Sequence, residues 1–474
     1  MSAVKIVATL GSSSSSPEQV ERLLRVGVDA VRLNFSYGSH RDHANLVHLV
    51  RKTAQRLGKH ITVLQDLQGP RIRTGPLKDG GPLGLEQESE ITIAHDLVEG
   101  NNGRISSTYP DIYRFLSPGD RVLFDDGRLE ARVLAVQGRD IRCQVVKGGL
   151  LGAFQGINLP DIALDIPTFT AKDREDLEFG LKIGVDWVAM SFVKSGQDAD
   201  LLRSMMRRQR TGVPLVAKVE RAAALLDLEG ILNAFDGVMV ARGDLGVELS
   251  PEEVPVWQKT IVRQARRKGK IAIVATQMLE SMISEPRPTR AEASDVANAV
   301  CDGADAVMLS GETAIGSFPV EAVAVMARII QTSQEIYVPE ELPATDRYRR
   351  EAQAVARAAC ALADDLNAQA IAVLTRSGVT AHRISRCRPA MPIFALTQQP
   401  RLARRLNMWW GVVPVLTDLP DVTVDSHGVI EKILLEKELV KRGEKVVAVG
   451  SSPLAARVPT NFLKVLRIGA HAYR

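Results

Sequence analysis

A short apolar run of strand type followed by a helix-length segment recurs eight times between residues 4 and 334, and nothing else in the chain constrains its fold as much. The runs are VKIVATL, DAVRLNF, ITVLQD, DWVAMSF, PLVAK, GVMVA, KIAIVAT and ADAVMLS, starting at or near residues 4, 28, 61, 187, 215, 237, 271 and 305. Helix signals punctuate them. Ser16-Pro17 with Gln19 combines an N-cap serine, a proline at the first helical position and a Gln at the third. Thr170 with Asp173, Ser250-Pro251 with Glu253, and Thr289 with Glu292 read as capping boxes, and Gly184, Gly269 and Gly303 read as helix ends. Eight strands, each followed by a helix, predict a (β/α)8 TIM barrel.

Two stretches break the rhythm. From Gly69 to about Pro167, runs such as ESEITIAHD, DRVLFDD, LEARVLAV and DIRCQVV alternate in hydropathy between Gly and Asp turns, the pattern of a small all-β insert. Such an insert can serve as a lid, an interaction module or a spacer. After a charged, proline-containing linker, Val338 to Arg350, the runs AIAVLT, PIFALT, GVVPVL and EKVVAVG are separated by helical patterns, which predicts an open α/β domain. The expected division is a barrel of residues 1–69 and 167–337, an insert of 70–166 and a C-terminal domain of 345–474.

With 474 residues, about three domains are expected. A net charge of +4 with scattered basic clusters gives no stripe for nucleic acid, so solvated helix faces account for those clusters. The four cysteines, Cys143, Cys301, Cys360 and Cys387, lack CxxC spacing, which fits reduced thiols in a cytoplasmic protein. Apolar runs are too short for a signal peptide or a membrane span, so an untargeted soluble protein is expected.

Active sites of such barrels lie at the carboxyl ends of the strands. Those ends read TLGS, RLNFSYG, DLQGPRIRTG, MSF, KVE, ARGDLG, ATQMLESM and LSGETA. Lys218 and Glu220 are two residues apart, so on an extended strand they share a face. Asp244 follows Gly243 at the end of the next strand. Burying such charge without partners would cost several kcal/mol, so it pairs or binds a ligand. An ion pair closing a strand and a divalent-metal and anion site are both compatible with these residues. Arg32, Arg73, Lys218 and Arg242 place four cations on the expected rim against Asp66, Glu220 and Asp244, a mixture that suits a phosphorylated ligand bound through a metal.

The blocks RLNFSYG, DLQGPRIRTG, AKVE, GVMVARGDLGVE, ATQMLESM and PTRAEASDVANAVCDGADAVMLSGETA resemble pyruvate kinases, in the same order and across all three segments. The resemblance implies a barrel with a β-barrel lid between strand and helix 3, a C-terminal effector-binding domain, and phosphoryl transfer from phosphoenolpyruvate to ADP in glycolysis, giving pyruvate and ATP. It implies that Glu220 and Asp244 hold Mg2+ or Mn2+ and that Lys218 lies against the transferring phosphoryl group. Backbone N–H groups near Gly243 and Asp244, with Thr276, match the substrate carboxylate site. Thr276 and Ser310 match a proton relay to the enolate, and Arg32 and Arg73 match the groups that steady the phosphates. Asn34, Ser36 and Asp66 match ligands of a monovalent cation, with Asn34 also near the nucleotide. A homotetramer is implied as well.

Several positions depart from the family pattern. Arg71 stands where K+-dependent members carry Glu, with Leu67 and Gln68 before it, which goes with K+ independence in related sequences: a fixed cation replaces the bound one. Ser12, Tyr37 and the pair Phe154-Gln155 replace a usual proline, histidine and lysines, which weakens the match at the nucleotide. In the last domain, Thr375, Ser377 and Thr380 match a loop for a phosphorylated effector, and a capped helix start explains the same residues. Two rival functions are a metal-dependent pyruvate aldolase, which would need neither the insert nor the GPRIRTG arginines, and a non-catalytic metabolite sensor, which would have no reason to keep convergent charge.

Overall fold

Each of the eight apolar runs forms a strand of four or five residues, too short to hold its hydrogen bonds alone but enough to span a barrel wall. In the computed structural model, which describes residues 2–470 apart from 102, 161, 163–165, 210–211, 341–349, 419–425 and 452–459, they are Lys5–Thr9, Ala30–Asn34, Thr62–Asp66, Trp187–Met190, Leu215–Val219, Gly237–Ala241, Ile271–Ala275 and Ala306–Leu309. All pair in parallel in chain order, and the first closes on the last with Lys5 opposite Ala306. The expected TIM barrel is present. Alternate residues face inward, where Val7, Leu64, Trp187, Val216, Met239 and Met308 share one apolar cluster. Their neighbours Ile6, Val63, Val188, Leu215, Val238 and Val307 face outward into the helix layer.

The helix caps mostly follow their sequence signals. Ser16 accepts from the Gln19 amide, and Thr170/Asp173 and Thr289/Glu292 form reciprocal capping boxes. Ser250/Glu253 is only half a box. The Glu253 carboxylate accepts from both the amide and the hydroxyl of Ser250, but the helix begins at Glu253 itself, because Pro251-Glu252 form a turn first. The segment expected as one helix after Val219 divides into Ala222–Leu226 and Leu228–Ala234, broken at Asp227.

Between the third and fourth barrel strands, the insert builds a six-stranded sheet and a two-stranded one around its own core, which includes Ile93, Ile105, Phe124, Val133 and Ile141. Isolated bridges of Arg73 to Gly156 and Thr74 to Ser107 fix its stem. The C-terminal domain is an open five-stranded sheet. Its four apolar runs are parallel, and Phe462–Arg467, absent from the sequence reading, adds an antiparallel edge. Most of the expected Val338–Arg350 linker falls on 341–349, outside the described residues.

This last domain covers the amino-terminal end of the barrel. Arg388 pairs with Asp305 at 2.7 Å, Arg404 with Asp186 at 2.9 Å, and the Lys5 ammonium donates to the Val412 carbonyl at 2.7 Å. Asn407 donates to the carbonyls of Asp29 and His60. With one mouth closed in this way, ligands reach the barrel from the other.

Candidate active site

The period of two that fills the barrel with apolar side chains also decides which residues form its upper layer. Continuing the inward face from Val7, Ala30, Leu64, Val216 and Met308 gives Thr9, Arg32, Asp66, Lys218 and Ser310. One further step beyond Lys218 gives Glu220. Of these, Arg32, Lys218, Glu220 and Ser310, together with Gly243, Asp244, Thr276, Arg71 and Arg73, line a cleft of about 500 Å³ between the barrel and the insert, with Thr9 and Asp66 beneath Arg32; Asn34 borders it as well.

Lys218 is the hub of this layer. Its ammonium lies 2.6 Å from Glu220 Oε1, 3.3 Å from Asp66 Oδ1 and 2.8 Å from the Ser191 hydroxyl. Burial opposes its charge, but Asp66 and Glu220 outweigh burial and hold its pKa above the usual lysine value. Arg32 grips the other oxygen of Asp66 through Nε and Nη2, at 2.7 and 2.6 Å, and reaches the Thr9 hydroxyl at 3.2 Å. Asp66 is fully buried, yet Lys218 and Arg32 overcome that burial and keep its carboxyl below the usual range. Glu220 differs: burial and the facing Asp244 push it up despite Lys218, while the Phe192 amide donates to its second oxygen at 2.8 Å. Two carboxylates left in mutual repulsion are a place where a cation is favoured.

Arg71 supplies part of that positive charge. Burial works against its guanidinium, but Asp244 and Glu220, with Tyr37 and Asp66, raise its pKa above the ordinary arginine value. Gly69 makes this entry possible. It has φ 69° and sits so close to Phe192 that an added Cβ would meet the ring at 2.7 Å. Arg73 lies on the insert side, bonded to the Phe154 carbonyl at 2.9 Å and stacked 5.9 Å from the centre of the Tyr37 ring.

Across the cleft, Thr276 has a left-handed backbone, φ 67°. Its hydroxyl donates to the Ala275 carbonyl at 2.6 Å and accepts from the Gly243 amide at 2.7 Å. Ser310 is held by its amide to the Glu312 carboxylate at 2.7 Å, while its buried hydroxyl has no partner among the described residues.

Not every residue read from the sequence joins this layer. Arg242, expected as a fourth rim cation, turns away from the cleft. It pairs with Asp295 at 2.5 Å and donates to the carbonyls of Thr276 and Gln277, so it braces the Thr276 loop. The Asn34 amide oxygen accepts from the Ser36 amide at 3.1 Å, a local turn. Thr375, Ser377 and Thr380 lie in the other domain. Thr375 accepts from the Gly378 amide and Thr380 bonds the Thr460 hydroxyl at 2.7 Å, which leaves Ser377 as the exposed hydroxyl of the loop. Sequence reasoning missed Ser191, Arg221, Glu248 and Glu312, all supports. Arg221 pairs with Glu248 at 3.2 Å and Glu248 accepts from the Ala222 amide, fixing the loop after Glu220. The available signal was a polar residue at each strand end, which does not separate a support from a ligand.

Known proteins match this chain over nearly its whole length. The family models for the pyruvate kinase barrel domain and alpha/beta domain match residues 1–323 and 353–466. A pyruvate kinase of Agrobacterium vitis is 47% identical over 98% of this chain and 97% of its own, and one of Mycobacterium tuberculosis is 43% identical over 98% of each. The crystal structure of a pyruvate kinase from Cryptosporidium parvum superposes with a TM-score of 0.87 at 34% identity, covering 98% of this chain and 96% of that one. Matches of this extent over both the barrel and the C-terminal domain show that the chain belongs to the pyruvate kinase family of phosphotransferases.

Proposed function

We propose that the cleft binds phosphoenolpyruvate and ADP and transfers the phosphoryl group between them, yielding pyruvate and ATP, with Mg2+ or Mn2+ held by Glu220 and Asp244. The observation that carries this reading is the Lys218 ammonium, buried at the strand end and turned toward the cleft between two carboxylates. Among the described residues no cluster of three or more His, Cys, Asp or Glu makes a complete metal cage. Two hard carboxylates, strained by each other, fit a Mg2+ that takes its remaining ligands from substrate and water. When bound, that ion neutralises the anionic oxygens of the substrate.

The chain's own groups supply positioning and charge. Lys218 presents a fixed cation where phosphoryl and enolate charge develops, a pre-organised contribution of about 3 to 4 kcal/mol by analogy with other oxyanion donors. Arg32, locked on Asp66, and Arg73, anchored to the insert, hold phosphate oxygens from two sides. The Asp244 amide receives the substrate carboxylate, beside the Gly243 amide that already donates to the Thr276 hydroxyl. For protonation of the enolate, the Thr276 proton is already committed to Ala275, so the unpartnered Ser310 hydroxyl, through water, is the freer relay. Closure of the insert excludes water and favours ADP as acceptor.

Activity without K+ is part of the reading. Arg71 faces Asp244, Glu220 and Asp66, and Asp66 is already engaged by Arg32 and Lys218, so the fixed guanidinium fills the electrostatic role of a monovalent ion. A phosphorylated effector at Ser377 and the helix start after Gly378, a homotetrameric assembly and a cytoplasmic location complete it. Among the described residues no helix is long and apolar enough to cross a membrane. The deciding assay follows pyruvate and ATP formation from phosphoenolpyruvate and ADP with Mg2+, first without K+ and then with it. Full turnover in both buffers is expected. Turnover only with K+ would remove the role given to Arg71, and no turnover in either buffer would remove the kinase reading.

A further inference from the structure

We propose that Cys360 and Cys387 form a redox-modification site, which a hydroperoxide closes to an intramolecular disulfide. Cys360 lies on the helix Arg350–Asp365, and Cys387 caps the helix Val379–Arg386. A single carbonyl gathers them: Ile384 O lies 3.9 Å from Cys360 Sγ and accepts the Cys387 amide at 2.9 Å. The Cys360 thiol is directed at that carbonyl, and the Cys387 thiol donates to the Arg383 carbonyl, one residue earlier in the same helix, at 3.5 Å. Both are half-buried, so a small peroxide reaches them where a bulky reagent does not. Cys143 is buried in the insert and Cys301 lies on a barrel helix, on other elements of the fold.

The surroundings divide the roles. The neighbouring Cys360 side chain, then the guanidinium groups of Arg386, Arg266 and Arg357, hold the Cys387 thiol below its usual value against the effect of burial. The Cys387 side chain, then burial, pushes Cys360 up. Cys387 is therefore the attacking sulfur and Cys360 the resolving one. The Cys387 thiolate attacks one peroxide oxygen: an S–O bond forms, the O–O bond breaks, and the departing hydroxide takes a proton to leave as water. Cys360 sulfur then attacks the sulfenic sulfur: the S–S bond forms, the S–O bond breaks, and the leaving hydroxide takes the Cys360 proton as a second water. The thiols lose two electrons and the peroxide gains them.

The cross-link has a place to act. Arg386 and Arg388 flank Cys387 and both reach the barrel, Arg386 through the carbonyls of Arg266 and Arg267 and Arg388 through Asp305. Oxidation thus fastens the docking seam to the helix Arg350–Asp365.

The test uses the full chain with Cys301→Ser, which removes the exposed thiol and leaves three. After hydrogen peroxide, unfolding and alkylation, the free thiols are expected to fall from three to one. Non-reducing peptide mapping should show a Cys360–Cys387 cross-link that dithiothreitol reverses. Adding Cys360→Ser should leave Cys387 as a sulfenic acid captured by dimedone, and Cys387→Ser should leave Cys360 reduced. Undiminished alkylation of Cys387 after peroxide, a sulfenic or sulfinic acid at Cys387 without the cross-link while Cys360 is intact, or a cross-link to Cys143 would each overturn the proposal.

Discussion

The two mouths of the barrel both carry buried ion pairs, and they use them differently. At the amino-terminal mouth, Asp305 meets Arg388, and Asp186 meets Arg51 and Arg404, beneath the C-terminal domain. Opposite charges there face one another across a domain contact, supported by backbone carbonyls. At the carboxyl-terminal mouth, Lys218 and Arg32 share Asp66, while Glu220 faces Asp244 and Arg71 leans over both. Two carboxylates, Glu220 and Asp244, repel one another there, and a cleft opens above them. Burial of charge therefore does not by itself mark a site. What distinguishes the open mouth is a pair of carboxylates in mutual repulsion on the wall of a cleft.

The comparison breaks most directly at its two hubs. Lys218→Met should lower kcat by about 10³-fold, with phosphoenolpyruvate and Mn2+ affinity changed only a few-fold, as expected for a cation used mainly in the transition state. Steady-state kinetics with Mn2+ binding followed by electron paramagnetic resonance decides it, and unchanged turnover would take Lys218 out of the reaction. Asp305→Ala should do the reverse. It leaves the Arg388 guanidinium, about 2% exposed in its side chain, without its carboxylate, which costs about 3 to 5 kcal/mol of stability. A large fall in the urea midpoint with kcat intact at low temperature is the expected outcome. A kcat loss as large as that of Lys218→Met would mean that the two mouths are not separate.

The barrel was legible because its signal is repeated. Eight apolar runs with capped helices between them tolerate individual errors, such as the half-formed box at Ser250 or the helix broken at Asp227. The site was legible as a set of strand-end positions, since a period of two carries Lys218 and Glu220 to the same face without any knowledge of tertiary structure. The direction of a loop side chain was not. Arg242 and Arg71 are both cations beyond strand ends, yet one braces the Thr276 loop from behind and the other enters the cleft past Gly69. That choice depends on Asp295 and Phe192, which belong to other elements. The antiparallel strand Phe462–Arg467 was missed for a similar reason: its exposed residues, such as Lys464 and Arg467, hide an edge strand in a polar tail.

Arg71 also sharpens the comparison, because it tests whether the open mouth needs a cation of its own. Arg71→Glu adds a third carboxylate near Glu220 and Asp244. Turnover without K+ should fall by at least about 10-fold, equivalent to roughly 1.4 kcal/mol, and added K+ should recover most of it. Loss of turnover that K+ does not relieve would show that Arg71 acts through something other than its charge.

The smallest expected effect is a pH response confined to the closed mouth. His382 lies tilted against Trp409, with ring centres 3.7 Å apart and planes 57° from parallel, at the seam between the barrel and the C-terminal domain. Burial, then Arg386, with Lys270 and Arg383 also near, hold its pKa well below the ordinary histidine value, while a bond involving the Gly269 backbone opposes them only in part. The unfolded chain binds a proton here near about pH 6.5, where the folded protein does not. Stability is therefore fully present above that pH and is lost as pH falls toward the depressed value, at no more than about 1.4 kcal/mol per pH unit from this one group. Urea unfolding from about pH 7.5 to 5.5 should show that decline in the wild type and a flatter one in His382→Gln, since Gln takes up no proton. Equal slopes in the two proteins would mean that carboxylates elsewhere set the response, and that the closed mouth is held by its ion pairs alone.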